Sequence, residues 1–291
     1  MNNECTRMHC YSLSAETTQD TTYYSLILTS DQQQRACKAP RQRLSWLLGL
    51  VLLQISTNSF GFDWSITELH YQYGRLKQPF LQQPEANASV MTFQHINGWR
   101  YGNNFLFFDT LMPHQGKMDY YGEYYGSLSL SKLTGVNLAA GLIKDIGLLM
   151  GVNWAPTPGM LKYLPGLRVS WDLPGFTFLN ADLTAYVDYS DRNIKENDSF
   201  MIDINGQYPF KLFNASFSIE GHAEYIGERR NQYGQVHAWF FSQIQVRYDI
   251  GELLLKKSKK VFIGTEWQYW SHKLGSNVEE NVAQALLVWR L

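Results

Sequence analysis

The chain has 291 residues and a formal net charge of -1, with 45% hydrophobic, 15% aromatic and 18% charged residues. Near-zero charge argues against a binder of nucleic-acid polymers, which carries a basic excess, and a mean hydropathy of -0.29 excludes a polytopic helical membrane protein. What remains is an aromatic-rich chain with 22 glycines and fewer charges than ordinary soluble domains, the composition of a large β protein with one wet and one greasy side.

Residues 1–40 hold all three cysteines (Cys5, Cys10, Cys37) and show no sustained periodicity, so they read as a disordered leader or a mis-called upstream start. Arg41 and Arg43 then precede a 12-residue apolar run, Leu44 to Ile55, followed by the small polar residues Ser56, Thr57, Asn58 and Ser59. The run is too short to span a bilayer. Basic flank, short apolar stretch and small residues predict a signal peptide over 41–61, cut to release Phe62. Residues 62–291 contain no cysteine, so this exported part has no disulfides to stabilise it and depends on its own hydrogen-bonded structure.

From residue 62 onward, period-two alternation dominates. In 178–189, Leu179, Ala181, Leu183, Ala185, Val187 and Tyr189 alternate with Asn180, Asp182, Thr184 and Asp188. In 200–208, Phe200, Ile202, Ile204 and Tyr208 oppose Met201, Asp203, Asn205 and Gln207, and 213–225 and 236–250 repeat the pattern. Twelve such segments are predicted: 63–73, 88–97, 103–110, 122–131, 138–152, 163–172, 177–189, 199–208, 211–225, 236–250, 260–270 and 282–291. Strands in soluble sheets average about 5–6 residues, whereas a tilted strand crossing a bilayer needs about 9–11. The polar face also carries several charges per strand, more than a dry core would pair. An all-β, transmembrane, antiparallel up-and-down barrel of about twelve strands satisfies both facts, because only a closed barrel leaves no strand edge in lipid. The even count fits both termini facing the periplasm, and the gaps read as long outer loops alternating with mostly short inner turns, 251–259 alone breaking the rule. The lysine cluster Lys256, Lys257, Lys259 and Lys260 falls in an inner turn. Aromatics near strand ends predict two interfacial girdles against outer-membrane lipid and lipopolysaccharide, formed by Trp64, Tyr71, Tyr73, Trp99, Tyr101, Tyr124, Tyr125, Trp154, Tyr163, Trp171, Trp267, Tyr269 and Trp289.

Five stretches resemble the Tsx family of nucleoside-specific outer-membrane channels, including its OmpK-like branch: FDWSITELHYQYG (62–74), FQHINGWRYGNNFLFFD (93–109), YGEYYGSLSLSKLTGVNLAAGLIKDIGLL (121–149), LPGFTFLNADLTAYV (173–187) and IGTEWQYWSHKLG (263–275). Their order and spacing, rather than any one motif, carry the likeness. The resemblance implies a monomeric twelve-stranded barrel in the bacterial outer membrane. Its narrow lumen would pass nucleosides or similar small polar solutes, and its outer loops would serve as phage receptors.

A nucleoside site needs aromatic faces for the base and carboxylates or amides for the ribose hydroxyls. The polar faces offer Phe105, Phe107 and Asp109 on one strand, Trp239 and Phe241 with Gln243, Gln245 and Arg247 on another, and Glu266, Gln268 and Trp270 on a third. Glu123, Arg168, Asp172, Asp182 and Glu220 complete the expected lumen lining, with Glu68, Asp203 and Glu224 as further lumen charges. Acids outnumber bases there, which favours neutral or cationic solutes. Catalysis is not expected, since no His-X-Ser pair of the outer-membrane phospholipase kind occurs; nor does 62–291 show a His/Cys metal spacing or call for a cofactor. The competing reading is a structural or receptor barrel with little conductance.

Overall fold

The computed structural model describes residues 61–79, 85–114 and 116–291; the expected leader and nearly all of the signal peptide lie outside them. Twelve strands form a closed antiparallel barrel in which each pairs with its neighbours in sequence. They are β1 (Trp64–Lys77), β2 (Glu85–Trp99), β3 (Gly102–Pro113), β4 (Asp119–Ser129), β5 (Ile143–Ala155), β6 (Met160–Trp171), β7 (Phe178–Asp188), β8 (Ser199–Leu212), β9 (Ala215–Ile226), β12 (Trp239–Asp249), β13 (Val261–Ser271) and β14 (Glu280–Arg290). A separate hairpin, β10 (Arg229–Asn231) and β11 (Gly234–Val236), stands in the connection between β9 and β12. β14 closes the wall on β1, with Glu68 opposite Arg290 and Tyr73 opposite Ala285.

Each expected segment corresponds to one barrel strand, and the two largest boundary differences have local causes. The segment expected at 138–152 starts only at Ile143, because a helical turn, Leu130–Thr134, capped by the Ser129 hydroxyl on the Lys132 amide, delays it. The turn expected at Pro209-Phe210 falls instead at Phe213-Asn214. β7 stops pairing with β8 at Gln207, so Pro209 faces a neighbour only on the β9 side and its missing N–H disrupts no ladder.

The alternation of connection lengths is a correction. The connection 156–159, expected to be long, has four residues, and 130–142, expected to be short, has thirteen. Helix-forming and glycine-turn residues fill connections at both ends, so length does not separate them. The ends are therefore distinguished by the termini: the terminal end, where β1 begins and β14 finishes, and the opposite loop end. The lysine cluster lies at the terminal end, after a helical turn Gly251–Leu255.

The wall's two sides differ as the alternation requires. On β8, Phe200, Ile202 and Ile204 are 44%, 43% and 53% exposed, while Met201 and Asp203 between them are 1% and 6% exposed. Outward aromatics gather near both ends, Tyr71, Tyr73 and Tyr163 toward the loop end and Trp289 toward the terminal end. Two expected girdle members turn inward. Trp64 shares the parity of Glu68 and lines the terminal mouth, and Tyr125 shares that of Glu123 and is buried in the lumen. Trp99 and Trp171, at strand ends, border the same mouth.

Tight curvature is made possible by inward glycines. A Cβ on Gly264 would sit 1.9 Å from the Val246 carbonyl oxygen, and one on Gly166 2.1 Å from that of Leu183, both backbone atoms of the adjacent strand. Such close approach marks a bend that only glycine accommodates. Gly264→Val is expected to destabilise the barrel by about 3 kcal/mol, the upper range of overpacking. The check is the yield of compact, heat-modifiable protein after refolding into detergent, which should fall; unchanged yield and midpoint would refute the close-approach reading.

Candidate solute site in the lumen

Eight strands leave an interior just filled by side chains and sixteen an aqueous channel. Twelve strands fall between, and this lumen is accordingly half open and half packed. A cavity of about 650 Å³ runs from the terminal mouth to mid-height. Above it, toward the loop end, the lumen is filled.

The open half is lined by a polar network. Arg168 grips Asp182 from the adjacent strand through two bonds, Nε to Oδ1 at 2.7 Å and Nη2 to Oδ2 at 2.6 Å, because the register sets the two residues opposite each other. Arg247 donates to Glu68 at 3.1 Å and to Gln245 at 2.7 Å, and pairs with Glu220 at 3.0 Å. Arg290 also pairs with Glu68, at 2.7 Å, and His70 lies 2.9 Å from the same carboxylate. Nine carboxylates and five lysines or arginines line this cavity, giving the acidic excess expected.

That excess is concentrated at the cavity's inner end. Asp109, Glu123, Asp203 and Glu224 line it there, and none of them has a lysine or arginine partner among the described residues. Thr92 donates to Asp109 at 2.6 Å, the Tyr121 hydroxyl donates to Glu123, and Asp203 takes Asn205 at 2.7 Å and His222 at 2.9 Å. Phe105 and Phe107, with centroids 5.9 Å apart, form an aromatic wall beside these acids.

The packed half is built on an apolar cluster. Tyr125, Leu149, Leu164, Tyr186, Met201, Ile226, Trp239, Phe241 and Trp270 form one buried cluster, with Phe105 packed against it. Phe241 stacks on Trp270 at 4.0 Å between centroids, and Trp239 meets Trp270 edge-on at 6.2 Å. Charged groups cap the plug at the loop end. Arg229 lies 4.2 Å above the Trp239 ring and bonds Glu196, and Lys162 bridges Asp188 and Glu196 at 3.0 and 2.8 Å. On the far side Lys273 bonds Glu280 at 2.6 Å; burial pulls its ammonium below the usual lysine range, and Glu280 opposes the shift.

The structure thus separates the expected lining residues into three groups. Phe105, Phe107, Asp109, Glu123, Arg168, Asp182, Glu220 and Arg247 line the cavity. Trp239, Phe241 and Trp270 face the lumen but sit in the plug, and Glu266 is buried in the wall, bonded by Gln245 at 2.6 Å and Gln284 at 2.9 Å. Asp172 is a correction: β6 ends at Trp171, so Asp172 lies exposed in the following turn, where strand parity no longer directs it inward. Lys144 and Asp145, adjacent yet both bordering the cavity, are reconciled by a β-bulge between Ile143 and Asp145. Sequence reading missed Arg290 and most of the plug. Tyr186 and Ile226 share parity with Asp182 and Glu224, so their inward direction was legible. Leu149 was not, because the adjacent charges Lys144 and Asp145 leave the facing of this segment ambiguous.

A closed hydrogen-bonded wall, an apolar convex surface and a polar lumen define a membrane-spanning β-barrel of the bacterial outer-membrane type. No protein-family model and no curated protein matches the chain. Among solved structures it is similar in fold to the KdgM porin, at 10% identity over 76% of this chain and 98% of that one, with a TM-score of 0.43. An outer membrane channel from Pseudomonas putida F1 aligns at 9% identity over 80% and 98%, TM-score 0.44. OccK11 from Pseudomonas aeruginosa aligns at 10% over 80% and 97%, TM-score 0.30.

Proposed function

We propose that this protein is an outer-membrane channel that admits small polar solutes by passive, site-assisted diffusion, with nucleosides among them. The observation that carries this reading is the cavity of about 650 Å³, in which the Phe105 and Phe107 rings stand next to Asp109 and Glu123. That volume lies within the range of small-molecule sites, about 300–1,000 Å³. A flat base would stack on the phenyl faces, while the carboxylates and the Gln94 and Gln245 amides that share the cavity would bond hydroxyl groups. The acidic excess would repel anions. The Tsx-like stretches of sequence support the same solute class.

The test is uptake into liposomes holding the refolded protein, comparing nucleosides with sugars and amino acids of similar size. Nucleosides should enter faster than the others and should block planar-bilayer current at millimolar concentration. Equal rates without block would refute nucleoside preference. Phe107→Ala should weaken that block by about tenfold, the loss of roughly 1–3 kcal/mol of stacking.

One observation favours a second reading, a receptor or structural barrel whose outer loops bind a partner such as a phage. The loop-end half is packed by a continuous apolar cluster under charged caps. Negligible conductance under all conditions would support it.

A further inference from the structure

We infer that the inner end of the cavity holds a divalent transition-metal site built from Asp203, His222 and Glu224. The register of β8 and β9 creates it. Asp203 stands directly opposite Glu224, and Asn205 opposite His222. A row of acids then crosses three strands, because Asp182 stands opposite Asp203 on the other side. Like charges in directly opposed positions are destabilising. Asp182 is relieved by Arg168, but Asp203 and Glu224 have no lysine or arginine.

Each of the three residues offers one ligand atom, a ring nitrogen or a carboxylate oxygen, and these atoms lie within 4.8 Å of one another. A zinc ion with bonds of about 2.0–2.2 Å holds tetrahedral ligands roughly 3.4 Å apart, which small side-chain rotations reach. One imidazole, two carboxylates and an open fourth position suit a borderline cation with a bound water. Glu224 is a buried carboxylate with little support. It is 7% exposed, its carboxylate belongs to this cluster, and among the described residues only the neutral Trp239 indole N–H is set to donate to it. Phe241, edge-on to His222 at 5.3 Å, excludes water from one side, while the cavity gives access from the other.

The test titrates ZnCl2 into untagged full-length protein in detergent and follows the heat. About one equivalent should be lost in both His222→Ala and the isosteric Glu224→Gln, each checked for folding by heat-modifiable mobility. The loop-end pair His237 and His272, with rings 5.1 Å apart, is the competing site, and the His237→Ala/His272→Ala variant should keep that equivalent. X-ray absorption at the zinc edge should show a nitrogen and oxygen shell. Binding unchanged in His222→Ala or Glu224→Gln, its loss in the His237/His272 variant, a shell containing sulfur, or no binding up to millimolar zinc would each overturn the assignment. None of these outcomes bears on nucleoside uptake, so the two readings fail separately.

Discussion

Replacing Phe241 and Trp270 together by alanine is expected to raise single-channel conductance several-fold. The two rings stack at 4.0 Å and bridge β12 and β13, where the register places them opposite each other. They join Trp239 and the inward residues of β4 to β9 in the cluster that fills the loop-end half. Removing one large aromatic from an ordinary core costs about 3–5 kcal/mol through the cavity left behind. Here the vacated volume adjoins the open cavity, so water can enter it and the damage to stability is smaller. The wall's hydrogen bonds hold the barrel closed without the plug. The double variant should therefore keep heat-modifiable mobility while its planar-bilayer current rises. An unchanged current in a folded variant would show that the plug does not limit permeation.

Glu68→Ala is expected to cost about 3 kcal/mol of stability, the low end for breaking a buried ion pair. Glu68 is 2% exposed and receives Arg247 at 3.1 Å, Arg290 at 2.7 Å and His70 at 2.9 Å. The Arg290 contact ties β14 to β1 at the seam where the wall closes. Removing the carboxylate leaves two guanidinium groups facing each other; Arg247 keeps Glu220 at 3.0 Å, which is why the low end applies. Urea unfolding from lipid vesicles should show a lower midpoint, and Glu68→Ala/Arg290→Met should recover part of it because the stranded charge is gone. A single variant within about 1 kcal/mol of the parent would mean that lumen water already screens the cluster, as it does exposed pairs.

The barrel was legible because lipid imposes a strict rule. Strands that face lipid on one side and water on the other must alternate over their whole length, as 178–189 and 200–208 do. The lumen acids were legible for the same reason, since Asp182, Asp203, Glu220 and Glu224 interleave with outward apolar residues. The rule breaks where a strand ends, which misplaced Asp172, and where a bulge sets adjacent charges against the period, which hid Leu149. It also says nothing of depth along the axis. Trp239, Phe241 and Trp270 point inward as their parity requires, but their height puts them in the plug and not in the cavity.

The residue order alone therefore determined the strand number, the outward and inward sets, and the acidic sign of the interior, because these follow from a two-residue period and the solvent on each side of the wall. The closed fold decided which acids receive an arginine, which remain unpaired, and how far the cavity reaches. Those outcomes depend on register between strands and on side chains meeting across the lumen, such as Glu68 with Arg247, 179 residues apart in sequence. Local alternation carries no record of such encounters.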